Sequence, residues 1–189
     1  MGWFAGATDP TKNGLWTAYE AVGEIMDIEV VMWGNAQGTP PDVTCQHGEV
    51  ECWLHSAYAC SKGLNPTVEA YLPLINCFDE VLMTTFPAGL PEPSPVNQSF
   101  AEASMGSCAK EVGLNFDAIN ACIGSDQGTT FLAAEAAKTP SHTGVPFGII
   151  DGQTSSPPPM DVITAVCNAY TGAKPDNCTT LAKSSYAWA

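Results

Sequence analysis

Cys45-Gln46-His47-Gly48-Glu49-Val50-Glu51-Cys52-Trp53-Leu54-His55-Ser56-Ala57-Tyr58-Ala59-Cys60 is the densest run of chemically specific residues in the chain. Its cysteines follow a C-x6-C-x7-C pattern. Structural zinc sites use short knuckles of about two to four residues between thiolates, so this spacing argues for disulfides and against a metal. Residues 49–62 read as a helix that ends at Gly63. On one helix Cys52 and Cys60 would stand ~12 Å apart, beyond the ~7 Å reach of a disulfide. A second helix runs from Asn65-Pro66 to about Met83. In an antiparallel hairpin turning near Leu64, Cys52 and Cys77 come to similar heights. The expected pairs are therefore Cys52–Cys77 and, by remainder, Cys45–Cys60.

Five further cysteines, Cys77, Cys108, Cys122, Cys167 and Cys178, bring the total to eight, and no two of the eight have CxxC spacing. An even count at scattered spacing reads as the disulfide framework of an oxidising compartment. Cys108–Cys122 and Cys167–Cys178 are expected from proximity in sequence. Sequons at Asn97 and Asn177 are candidate glycosylation sites on the same secretory route.

The fixed positions Cys45, Gln46, His47, Gly48, Glu51, Cys52 and Cys60 resemble the signature of the gamma-interferon-inducible lysosomal thiol reductase (GILT) family, C-Q-H-G-x2-E-C-x2-N-x4-C. His55 stands where that family has Asn. Glu24-Ile25-Met26-Asp27-Ile28 followed by Trp33-Gly34-Asn35-Ala36-Gln37 is similar to the family's helix end, second strand and G-N-A turn. Val145-Pro146-Phe147 looks like its strand-entry proline, which the resemblance makes a cis-proline facing the active site. The likeness covers roughly residues 15 to 180. It implies a thioredoxin-like α/β fold with a disulfide-stapled helical insertion. It also implies reduction of protein disulfides through a CxxC at a helix N-terminus, where free amides and the helix dipole stabilise a thiolate. Aligned without gaps, that motif falls on Phe4-Ala5-Gly6-Ala7, with Phe4 and Ala7 at the cysteine positions. The family's first strand would lie before Met1.

The remaining chain is consistent with one domain. It has 189 residues, 45% of them apolar and 14% charged, long enough to bury a core. Six lysines, with no arginine, face 20 acidic residues for a net charge of −14. Such a surface repels phosphate backbones, which excludes nucleic acid as an expected partner. No apolar run reaches the ~18 residues of a membrane span, and no signal-peptide pattern stands at the N-terminus. The expected organisation within residues 1–189 is a first helix and strand over 8–37, a helical insertion over 45–140, a cis-proline strand and C-terminal helix over 145–170, and a tail over 171–189. Thr8-Asp9-Pro10 opens the first helix, whose apolar stripe is Leu15, Tyr19, Val22 and Ile25 or Met26. Ile28 to Trp33 reads as a buried strand that stops at the Gly34-Asn35 turn, and Val145 to Ile150 as a second that turns at Asp151-Gly152. Pro87 to Pro95 and Ser155 to Pro159 are loops. Helices through Ala109, Ile119 and Thr130 to Ala137 precede a last one from Asp161 to Tyr170.

Two functions are expected from this reading. The first is a GILT-like protein without a catalytic CxxC, a redox-inactive structural or binding module in an extracytosolic lumen. The second is an active thiol–disulfide oxidoreductase whose catalytic N-terminus is absent from the chain. His47 and His55 read as hydrogen-bonding scaffold residues and His142 as a loop residue. No cofactor or metal is expected. A protein partner or oligomer is expected, because a sheet without its first strand has an open edge to cover; Trp3 and Phe4 read either as a partner-facing patch or as cover for that edge.

Overall fold

The computed structural model describes residues 14–87, 94–155 and 161–178. Trp3, Phe4 to Ala7, the Thr8-Asp9-Pro10 helix start, residues 88–93 and 156–160 of the two loops, and residues 179–189 of the tail lie outside them. The chain divides into two compact units, residues 1–28 with 142–189, and residues 29–141.

In the first unit, α1 (Leu15–Val22) runs into a 3-10 turn over Gly23–Ile25. Its buried face is Leu15, Ala18 and Val22, so Ala18 replaces the expected Tyr19 in the stripe. The tyrosine ring instead packs beside Trp16, centroids 5.6 Å apart. Ala18 and Val22 pack with Val162, Ile163 and Val166 of the last helix, α7 (Val162–Ala169), joined by Ile25, Met26 and Ile150. Asp161 caps α7, its carboxylate accepting from Thr164 N at 2.9 Å. Strands β3 (Gly148–Ile150) and β4 (Gln153–Ser155) pair antiparallel. Their link is Asp151-Gly152, with φ +48° and +76°. Two left-handed residues define the tight hairpin turn whose twist suits the strands, and an Asp-Gly pair tolerates it best. The expected strand from Val145 begins three residues later, at Gly148. The Val145–Pro146 peptide is cis.

The second unit opens on residues 29–33, which belong to no strand among the described residues, contrary to the strand expected over Ile28 to Trp33. The reason lies in where the backbone groups find partners. Lys62 Nζ donates to the Val30 carbonyl at 2.7 Å, and Met32 N donates to Glu135 Oε2 at 2.9 Å. Helix side chains take the place of a neighbouring strand. Next comes a hairpin the sequence reading did not anticipate, β1 (Gln37–Thr39) and β2 (Asp42–Thr44), turning at a cis Pro40–Pro41 peptide. Five helices follow: α2 (Glu49–Leu64), α3 (Val68–Thr85), α4 (Gln98–Glu111), α5 (Phe116–Cys122) and α6 (Asp126–Lys138). Asn97, Asn115 and Ser125 cap the last three, each accepting from a backbone N–H three residues on. Among the described residues the strands form two separate antiparallel hairpins, so the chain is mixed and mainly helical.

Four disulfides staple it: Cys45–Cys52, Cys60–Cys122, Cys77–Cys108 and Cys167–Cys178. Three expected pairings, Cys52–Cys77, Cys45–Cys60 and Cys108–Cys122, are therefore corrected. Similar height along a helix hairpin says nothing of which way a side chain faces. Eight residues leave Cys52 and Cys60 about 80° apart around α2. Cys60 shares the buried side with Ala57 and Ser61 and reaches α5, whereas Cys52 turns back to the chain before its own helix. Cys77 on α3 meets Cys108 on α4. Cys122 faces α2, which takes it away from Cys108 although only a short loop divides their helices.

The Cys60–Cys122 bridge is fully buried, and α6 crosses directly over it at Gly128. A Cβ there would overlap the Cys122 carbonyl oxygen and stand 3.1 Å from Cys60 Sγ. Helices α2 and α6 then close over Ala59 and Leu132, with Trp33 and Ala36 completing the cluster. Tyr58 meets Phe78 of α3 edge-on, centroids 6.2 Å apart. Burial, aided by the nearby Asp79 charge, keeps the Tyr58 phenol protonated far above its usual range.

An ionic cluster clamps residues 29–33 to α2 and α6. Lys62 Nζ donates to Glu29 Oε1 at 2.7 Å and Glu135 Oε1 at 2.9 Å, and Lys138 Nζ to Glu29 Oε1 at 2.7 Å. Burial acts to lower the Lys62 pKa, but Glu29 and Glu135 outweigh it and hold it above its usual value. Hydrogen bonds from Lys138 and Lys62 hold the Glu29 carboxyl below its usual 4.5. Glu29 therefore adds stability above the unfolded-state value, and that contribution is lost as pH falls through the lower folded-state value.

Two predictions follow from this packing. Closing a loop of 62 residues removes about 4 kcal/mol of unfolded-chain entropy and one of 7 residues about 2. Replacing Cys60 and Cys122 together by Ala should thus cost more in urea denaturation than replacing Cys45 and Cys52, and the reverse order would contradict the assigned topology. Glu29→Gln should destabilise the chain by up to about 1 kcal/mol at pH 7. The deficit should shrink as pH drops below the carboxylate range, whereas a deficit constant from pH 7 to 3 would exclude the charged clamp.

Candidate functional site

The β1–β2 hairpin ends at Thr44 and hands the chain to a turn, 45–48, that starts α2. Gly48 N donates to the Cys45 carbonyl at 3.2 Å, and Gly48 adopts φ +88°, a conformation costly for any side chain. Glu51, in the first turn of α2, reaches back so that Oε2 accepts from His47 N at 2.7 Å. The bond ties the helix to the residue before its N-cap Gly48, so the carboxylate holds the turn rather than capping the helix. Gln46 Oε1 accepts from Asn35 Nδ2 at 2.8 Å, tying the turn to the Gly34-Asn35 corner. These signature positions thus have local work: Cys45 and Cys52 close the turn, Gln46 anchors it, Gly48 permits it and Glu51 ties His47 back to the helix. Cys60 does not join them and lies in the core, bonded to Cys122.

Two histidines flank Glu51. His47 Nδ1 is 3.3 Å from Oε2 and exposed, while His55 Nε2 is 3.9 Å from Oε1 with its side chain 13% exposed. The other His55 nitrogen, Nδ1, stands 3.8 Å from Cys45 Sγ. Burial holds the His55 imidazole below its usual pKa, opposed by the Glu51 charge. A sulfur, an imidazole and a carboxylate therefore stand in sequence, the order in which a base is oriented against a thiol. The sequence did not single out the contact between His55 and Cys45, because ten residues and a change from turn to helix separate the two and no periodicity signals it.

Other sequence-predicted positions lie elsewhere. Pro146 and His142 belong to the first unit, where the His142 ring packs 5.8 Å from Phe147. Asn97 is exposed and caps α4, and Asn177 is exposed with Nδ2 donating to the Ala21 carbonyl at 2.7 Å. Phe4 and Ala7 lie outside the described residues. All eight cysteines are in disulfides, so none is free as a thiolate. Among the described residues no group of three His, Cys, Asp or Glu side chains is placed to hold a metal ion, and no helix is long and apolar enough to cross a membrane.

Residues 6–89 match the family described as gamma interferon inducible lysosomal thiol reductase (GILT). The chain is 29% identical over 182 residues to the mouse protein named gamma-interferon-inducible lysosomal thiol reductase, covering 90% of this chain and 65% of that protein. It is 28% identical over 156 residues to an Arabidopsis thaliana gamma-interferon-responsive lysosomal thiol protein, covering 78% and 58%. The Carassius auratus protein of the same name as the mouse one is 27% identical over 173 residues, covering 83% and 61%. The chain thus spans less than two thirds of the length of these relatives. The turn built from Cys45, Gln46, Gly48, Glu51 and Cys52 lies within the matched residues 6–89, and over that stretch the chain is similar to the gamma-interferon-inducible lysosomal thiol reductase family.

Proposed function

We propose that this chain is a structural or binding module of an oxidising, extracytosolic lumen that does not turn over protein disulfides. One observation carries the reading: all eight cysteines are closed in four disulfides, and no two stand at CxxC spacing. A dithiol catalyst needs an attacking thiolate and a resolving thiol close by, and neither Phe4 nor Ala7 can supply one. Four disulfides fit an oxidising compartment, and the relatives' names, which place them in lysosomes, favour that lumen. On this reading residues 1–189 form one GILT-like domain of thioredoxin-like descent, with Pro146 as its cis-proline, and glycans at Asn97 and Asn177 suit their exposed positions. The partner is a protein or a second copy, since a surface of net charge −14 disfavours nucleic acid.

A second reading, an active thiol–disulfide oxidoreductase, is favoured by coverage. The relatives have a third or more of their length outside the matched region, room for a catalytic CxxC segment in a longer form of this protein. The two readings separate in a turnover assay on an interchain protein disulfide, with dithiothreitol as electron donor, at pH 4.5 and 7. The chain with this sequence should give the dithiothreitol background rate. Catalysis above background would overturn the module reading and favour the oxidoreductase.

A further inference from the structure

Three of the four bridges are poorly placed for reaction with an external thiol. Cys60–Cys122 and Cys167–Cys178 are buried at both ends. Cys77 is half-buried, but Glu111 Oε2 stands 3.9 Å from its Sγ and repels an approaching thiolate, and its partner Cys108 is buried. Cys45–Cys52 differs in each respect. Both residues are half-buried in a turn whose neighbours Gln46, His47 and Gly48 are exposed. Next to Cys45 Sγ stands the imidazole of His55 rather than a carboxylate. The Val43 carbonyl oxygen lies 3.7 Å from Cys52 Sγ, placed to accept from a Cys52 thiol. Each sulfur therefore has a hydrogen-bond partner ready for the reduced state, an arrangement a purely structural staple does not need.

We infer that Cys45–Cys52 is a thiol-exchange site for low-molecular-weight thiols, with His55 as the proton donor to Cys45. An incoming thiolate attacks Cys52 Sγ, forming a mixed disulfide there as the Cys45–Cys52 bond breaks. The bond's electron pair goes to Cys45 Sγ, the sulfur beside His55, which takes a proton from the imidazolium form of that ring, and the ring regains a proton from solvent. A second thiolate attacks the external sulfur of the mixed disulfide and expels Cys52 as a thiolate, which takes its proton from solvent. In sum, two thiols become one small disulfide and the bridge gains two electrons and two protons. Glu51 Oε1, 3.9 Å from the far nitrogen, places a negative charge beside the ring. Opening this bridge frees a loop of only 7 residues, and the Gln46–Asn35 and His47–Glu51 bonds keep the turn in place. The site goes beyond the module reading, which concerns turnover on protein disulfides. With both cysteines half-buried and Cys45 packed against the cluster of Trp33, Ala36, Ala59 and Leu132, the bridge admits a small thiol more readily than a folded disulfide.

Timed incubation of the native full chain with reduced glutathione at pH 7, followed by alkylation and peptide mass mapping, tests the inference without any variant. Cys45 and Cys52 should become labelled together, about tenfold or more faster than any of the other six cysteines. His55→Gln should slow that labelling about tenfold while leaving the denaturation midpoint of the oxidised protein unchanged. Labelling of Cys45 and Cys52 no faster than of Cys77 and Cys108 would overturn the exchange site, whatever the turnover assay gives. An unchanged rate in His55→Gln would overturn the proton-donor role, and if that variant fails to fold, the wild-type order of labelling still decides the site.

Discussion

The buried bridge between Cys60 and Cys122 sets the geometry of the second unit. It brings α5 against α2 at a depth where no water competes, and it does so under the N-terminal turn of α6. That turn can cross only because Gly128 presents no side chain to the Cys122 carbonyl. Ser125 reinforces the junction from both sides, donating through Oγ to the Cys122 carbonyl at 2.7 Å and accepting from Gly128 N at 3.1 Å. With α6 held there, Leu132 meets Ala59 and Glu135 reaches Lys62, so the apolar cluster and the ionic clamp share one anchor.

The clamp shows how the chain handles charge in an interior. Glu135 is 4% exposed, and a lone carboxylate so placed would lose most of its hydration. It persists because Lys62 and the Met32 amide serve both of its oxygens. Glu29, at the protein surface, tolerates two lysines for the same carboxylate oxygen. Segment 29–33 is consequently fixed by side chains from two helices, each of which has its own place secured by packing.

Much of this was legible in the sequence, and the parts that were not have a common physical origin. The helices through 49–64 and 68–85, the Asp151-Gly152 turn and the Asp161 start of the last helix follow from caps, glycine and proline positions and 3.6-residue periodicity, all of them local signals. The signature residues were identified as a group, and five of them do meet in one turn. Disulfide partners, by contrast, depend on which way a helix faces, and neither height nor nearness in sequence carries that information. Lys62 and Glu135 are 73 residues apart, so their contact leaves no trace in a local window. The β1–β2 hairpin was missed because it is short, exposed and interrupted by two prolines, and so lacks the apolar alternation that marks a strand. The Ile28 to Trp33 run has the composition of a strand, but composition cannot say whether a neighbour strand or helix side chains will serve its amides.

The nesting of the bridges bears on how the chain reaches this state during synthesis. As the polypeptide emerges from N- to C-terminus into an oxidising lumen, Cys45 and Cys52 are available to each other almost at once. Cys60 emerges soon after, yet its partner Cys122 arrives only after Cys77 and Cys108 have both passed. Vectorial oxidation therefore favours premature capture of Cys60 by Cys77, since short loops close at lower entropic cost than long ones. A pair of that kind would have to be reshuffled by thiol–disulfide exchange before the four native bridges could close.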